Sequence, residues 1–157
     1  MVVVPNTVLP LPSRATAVAR EPARILLIED DPDDERFLRR ALGKSGREIL
    51  LDIVRDGRSA LEYLAAALAI RDPLPRGTPL LVLSDVHLPL QSGWDILRWI
   101  RTRPEFSRLP VLLWTSLPTP EGADRAKEFG ALRYFSKPRN LAGYGEIASL
   151  ILSHLGD

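Results

Sequence analysis

The sequence contains no cysteine. Disulfides, thiolate metal sites and cysteine nucleophiles are thereby excluded together. Lysine is scarce: only Lys44, Lys127 and Lys137 occur, and the other basic residues are arginines. Net charge is nearly absent, at +1, so no bulk field draws the chain to nucleic acid or to anionic lipid. No apolar run approaches the roughly 18–20 residues that a membrane span requires. The opening MVVVPNTVLPLPSR has no early positive charge and is interrupted by Pro5, Pro10 and Pro12, which argues against a secretory signal. These absences leave a cytoplasmic protein as the expectation, with neither nucleic acid nor membrane as a partner.

What is present is ordinary globular composition, 45% apolar and 26% charged over 157 residues, enough for one domain with a proper core. Residues 1–22 show no helical or strand period and hold four prolines, so they are expected to form a flexible tail. The domain is expected to span 23–157. From Arg24 onward, short apolar runs alternate with amphipathic segments. The runs are RILLI (24–28), ILLDIV (49–54), LLVLS (80–84), PVLLW (110–114) and LRYFS (132–136), and they read as buried strands.

The segments between them read as helices. The first places Phe37, Leu38, Ala41 and Leu42 on one face, with Asp31 as cap, Pro32 at the first helical position, and Asp33 and Asp34 at the positive end of the helix dipole. The second carries Leu61, Leu64, Ala65 and Leu68, and the third Trp94, Leu97 and Ile100. The fourth opens at Thr119-Pro120 and stops at Gly130. The fifth opens near Asn140 and carries Tyr144, Ile147, Ala148, Ile151 and Leu155. The Pro-rich stretch 71–79 reads as a surface excursion. Five βα units with continuously apolar strands predict an α/β fold, a parallel sheet covered by helices on both faces.

Ligands in such sheets sit outside the carboxyl ends of the strands. Glu29 and Asp30 follow the first strand, Asp85 the third, Thr115 and Ser116 the fourth, and Lys137 the fifth. Three clustered carboxylates repel one another and favour a proton or a bound cation. Oxygen ligands of this kind suit magnesium: Asp30 and Asp85 directly, Glu29 through water. A carboxylate can also act as a nucleophile and form an acyl phosphate. Phosphoryl transfer then needs mainly positioning and charge neutralisation, here from the metal, Lys137 and the Thr115 hydroxyl. Taken singly, each residue has a plainer reading. Glu29–Glu35 is an acidic run of the sort that usually forms a solvated face, Asp85 could be a cap, Thr115 could end a strand, and Lys137 could be a surface lysine.

The ordered set resembles the receiver domains of two-component response regulators over about residues 23–157. The pieces that carry the resemblance are ILLIEDDPDD, LSDVHLPLQSGWDIL, VLLWTS and GALRYFSKP. It implies a single doubly wound (βα)5 flavodoxin-like domain with a parallel five-stranded sheet in the order 2-1-3-4-5. It also implies that Asp85 accepts phosphate from a histidine kinase, and that Glu29, Asp30, Asp85 and the backbone carbonyl of His87 hold Mg2+ or Mn2+. Thr115 and Lys137 would contact the phosphoryl group, and Thr115 and Tyr134 would form the switch. The Lys137–Pro138 bond would be cis. The ED-D-P-x-D start and RTRPEFSRLPVLLWTS look like single-domain regulators beside phytochrome-type kinases, which makes a bacteriophytochrome a candidate partner.

The expected function is that of a stand-alone phospho-acceptor that assists its own phosphorylation and dephosphorylation rather than an enzyme. It would switch the surface of helix four, strand five and helix five. The output would be a partner, a homodimer or onward phosphotransfer. One alternative is an unphosphorylated receiver-like interaction module, although neither the acceptor, the acidic pair nor the lysine is missing. Another is a magnesium-dependent phosphatase, whose second aspartate would stand where this chain has His87.

Overall fold

The computed structural model describes residues 22–69 and 80–156. Except for Pro22, the expected tail lies outside the described residues, as does the 71–79 stretch. Five strands, β1 (Ala23–Ile28), β2 (Ile49–Val54), β3 (Leu80–Asp85), β4 (Val111–Thr115) and β5 (Arg133–Ser136), form one parallel sheet in the order β2-β1-β3-β4-β5. Five helices connect and follow them: α1 (Pro32–Gly43), α2 (Gly57–Ala69), α3 (Gly93–Arg101), α4 (Pro120–Glu128) and α5 (Leu141–His154). A short 3-10 turn, Pro104–Phe106, precedes β4. This is the flavodoxin-like (βα)5 architecture and strand order that the resemblance implied.

The central strands carry unbroken apolar runs, Ile25–Ile28, Leu81–Leu83 and Val111–Trp114, because each face of the sheet meets helices. Ile25, Leu27, Leu81, Leu83, Leu112 and Trp114 point to the side of α1 and α5 and pack there with Leu38, Tyr144 and Ile151. Their neighbours Leu26, Ile28, Val82, Val111 and Leu113 point to the other side and meet Leu64, Ile96, Leu97 and Ile100. The edge strands β2 and β5 are only partly buried. α2 buries Ala60 and Leu64, four residues apart, while Ala65, expected on the same stripe, is exposed because it lies about 100° further round the helix. Trp99 is half-buried against the Phe106 ring, with the Arg103 guanidinium 4.6 Å from its own.

Local signals fix the helix starts. Asp31, Thr119 and Asn140 each accept a backbone N–H from their helix's first turn, at 2.9, 2.9 and 3.0 Å. Ser92 and Asp95 form a capping box at α3 that the sequence reading did not mark. Gly130, in the left-handed region at φ 83°, follows α4. Every peptide bond among the described residues is trans, Lys137–Pro138 included, which corrects the expected cis bond. Trans is the ordinary prolyl state, favoured by about 0.5–1 kcal/mol, and Lys137 makes its contacts from it.

The start of α3 is pressed against the end of β3. Gly93 donates its N–H to the Val86 carbonyl at 2.9 Å, and a Cβ on Gly93 would lie 2.3 Å from the Asp85 carbonyl oxygen. Backbone cannot yield there as a flexible side chain would. Gly93→Ala should therefore cost about 1–3 kcal/mol in stability, read as a lower urea midpoint at unchanged slope. An unshifted midpoint would show that this approach is not a constraint.

Candidate functional site

The ends of four neighbouring strands build the site, and the ladder continues past β1, β3 and β5 to fix the backbone there. Glu29 donates its N–H to the Val54 carbonyl at 3.0 Å, Val86 to Trp114 at 3.0 Å, and Lys137 to Thr115 at 2.9 Å. Glu29, Asp30 and Asp85 are thereby brought together, with one carboxylate oxygen from each within 4.8 Å of the others. Glu29 and Asp85 are buried and Asp30 is exposed, so the cluster opens to solvent on one side.

Lys137 reaches into the cluster from the end of β5. Its Nζ lies 2.8 Å from Glu29 Oε2, from Asp34 Oδ2 and from Asp85 Oδ2. It donates hydrogen bonds to Asp34 and Asp85. The Glu29 contact is an ion pair without hydrogen-bond angles, which leaves the buried Oε2 unsatisfied. Burial by itself would lower the Lys137 pKa, but the hydrogen bonds to Asp34 and Asp85 and the adjacent Glu29 carboxylate outweigh it and hold the ammonium above the ordinary lysine range. Trp114, for which the sequence offered no role, lies beneath it: the ammonium is 5.5 Å from the centroid of this fully buried ring.

Asp34 was read as a helix-dipole residue. It is instead buried, with Oδ1 accepting the Tyr144 hydroxyl at 2.5 Å while Oδ2 faces Lys137. Tyr144 was read as one member of α5's apolar face, and its ring does belong to the core. Neither partnership leaves a local signature, because the two residues are 110 positions apart in the chain.

Asp85 Oδ1 accepts the His87 N–H at 2.9 Å, and the His87 side chain is exposed. Of the two hydroxyls expected after β4, Thr115 is buried and Ser116 is exposed. Thr115, His87, Trp94, Gly122 and Tyr134 line a hollow of about 210 Å3 beside the acidic cluster. Tyr134 is held at its rim. Its ring stacks on Trp94 at 6.0 Å, and its hydroxyl accepts the Thr119 N–H at 3.1 Å.

The donor set fits a divalent cation. All three candidate side-chain ligands are carboxylates, the choice of a hard ion, and the buried Glu29 Oε2, though paired with the Lys137 ammonium, accepts no hydrogen bond. Burial, and the Asp85 charge to a lesser degree, raise the Glu29 pKa from 4.5 to about 8 despite Lys137. Between those values the folded chain keeps a proton that the unfolded chain has lost, so this contribution to stability is full below 4.5 and lost as the pH rises through about 8. Thermal unfolding in chelator should give a melting temperature that falls across this window, at no more than about 1.4 kcal/mol per pH unit for the one group. Glu29→Gln should flatten that fall. A melting temperature that rises with pH equally in both proteins would contradict the assignment.

The family model of the response regulator receiver domain matches residues 25–144. Response regulator Rcp1 of Synechocystis sp. is 32% identical over 120 residues, covering 76% of this chain and 80% of that protein. Among solved structures, the phosphorylated cyanobacterial phytochrome response regulator RcpA has a TM-score of 0.74 at 26% identity, over 86% of this chain and 94% of that one. The Mn2+-bound form of response regulator Rcp1 has a TM-score of 0.72 at 29% identity, over 86% and 96%.

Proposed function

The chain belongs to the response regulator receiver domain family of two-component signalling, and from that premise we propose that it is a stand-alone phospho-acceptor switch with Asp85 as the acceptor. One observation carries the reading: Glu29, Asp30, Asp85 and Lys137 converge at the carboxyl ends of β1, β3 and β5, with Thr115 at the adjoining end of β4. A sensor histidine kinase supplies the phosphoryl group. A phytochrome-type kinase is the favoured candidate, because RcpA is a phytochrome response regulator.

In this reading Glu29, Asp30, Asp85 and the His87 carbonyl hold Mg2+ or Mn2+, as the Mn2+-bound Rcp1 structure suggests by likeness. The ion supplies neutralising charge for a phosphoryl oxygen. An Asp85 carboxylate oxygen forms the new P–O bond as the donor's P–N bond breaks, and the released imidazole leaves neutral after taking up a proton. Lys137 steadies a second phosphoryl oxygen and Thr115 a third. As the Thr115 hydroxyl turns toward that oxygen, Tyr134 gains room to leave Trp94 and Thr119 for the hollow between them. Gly122 suits the resting position, since a Cβ there would stand 2.2 Å from the Tyr134 hydroxyl. The surface of α4, β5 and α5 changes with it, and a partner or a second copy reads that change. The protein is cytoplasmic in this reading; among the described residues no helix is long and apolar enough to cross a membrane.

Incubation with acetyl phosphate should add the mass of one phosphoryl group to the intact protein. The gain should require Mg2+ and vanish in Asp85→Asn. Folded wild type that gains no mass would instead favour a receiver-like module that works unphosphorylated.

A further inference from the structure

Lys137 is shared among carboxylates of two kinds. Glu29 and Asp85 belong to the candidate cation site, and Asp34 does not. An ammonium has three N–H donors, and these three carboxylates surround it at 2.8 Å each. A cation entering the cluster therefore competes with Lys137 for Glu29 and Asp85, but not for Asp34. Helix capping does not explain Asp34. The cap of α1 is Asp31, and the Asp34 oxygens face Lys137 and the Tyr144 hydroxyl. Tyr144 is fixed in turn, its ring 5.3 Å from Phe37 and 6.4 Å from Trp114. Asp34 is thus held in place from α5 as well as from its own helix.

We propose that Asp34 is a positioning residue: braced by the Tyr144 hydroxyl, it takes a share of the Lys137 ammonium that would otherwise go to Glu29 and Asp85 alone, and so eases a divalent cation's capture of those two carboxylates. The inference rests on the metal reading given above. With Asp34 absent, Lys137 has only the two ligand carboxylates to bind, and the cation must displace it from both. The negative charge of Asp34 also attracts a cation directly, whether or not Lys137 is there, so the two effects must be separated.

A double-mutant cycle separates them. Mn2+ affinity is measured by titration calorimetry on wild type, Asp34→Asn, Lys137→Met and the double variant. Asp34→Asn should weaken Mn2+ binding about five- to tenfold when Lys137 is present, and less than about twofold in the Lys137→Met background. Tyr144→Phe keeps the Asp34 charge but removes its brace, and should weaken binding about two- to threefold, again only with Lys137 present. It carries the test if Asp34→Asn does not fold. Equal losses in both backgrounds would make Asp34 a mere distant charge and overturn the proposal, as would no loss in either single variant. A wild type that binds no Mn2+ would overturn the metal reading itself, and the positioning role with it.

Discussion

The contact between the Lys137 ammonium and the carboxylates around it governs this end of the molecule. Glu29, Asp34 and Asp85 are all buried, and three carboxyl groups that close together would repel as anions and lose their hydration. A single cation among them lets the three chain segments meet. Such a cluster adds little to stability in itself, because desolvation offsets much of the attraction, yet removing one partner strands the others at about 3–5 kcal/mol. Trp114 sharpens the arrangement. Its ring closes the floor of the site with apolar surface and gives the ammonium a favourable face. The strand ladder, extended by one bond at Glu29, Val86 and Lys137, keeps the charged groups from relaxing apart.

Much of this architecture could be read directly from the residues. The central strands were plain because both faces of the sheet are covered, so ILLI and VLLW are apolar at every step. Caps at Asp31, Thr119 and Asn140 were plain because a cap acts on its own helix within three residues. Weaker signals failed where solvent exposure decides. Ala65 has no side chain large enough to report its face, and it turned outward. The capping box of Ser92 and Asp95 lay hidden between a proline-containing loop and a glycine.

The acidic pair, Asp85, Thr115 and Lys137 could be found because each stands at the carboxyl end of a strand in a parallel sheet, where ligand-binding groups gather. Asp34 and Tyr144 could not. One sat in an acidic run that helix capping already explained, and the other in an apolar stripe that core packing already explained. Their hydrogen bond joins α1 to α5 across most of the chain, and no spacing rule reaches so far. The trans Lys137–Pro138 bond was misjudged for a related reason: it was carried over from family likeness, and nothing in the local residues fixes the isomer.

The separation between Lys137 and Asp34, 103 residues, has a consequence for how the protein is made. On the ribosome, the acidic run Glu29–Glu35 emerges long before its counter-ion has been synthesised. A nascent chain that has completed four strands can collapse around β1 and β3, but it still lacks the cation that makes their carboxylate ends compatible. Arrival of β5 therefore supplies more than a last edge strand, since it brings the charge that lets the other strand ends settle. Assembly of the charged cluster is in this way tied to synthesis of β5, the last strand of the sheet.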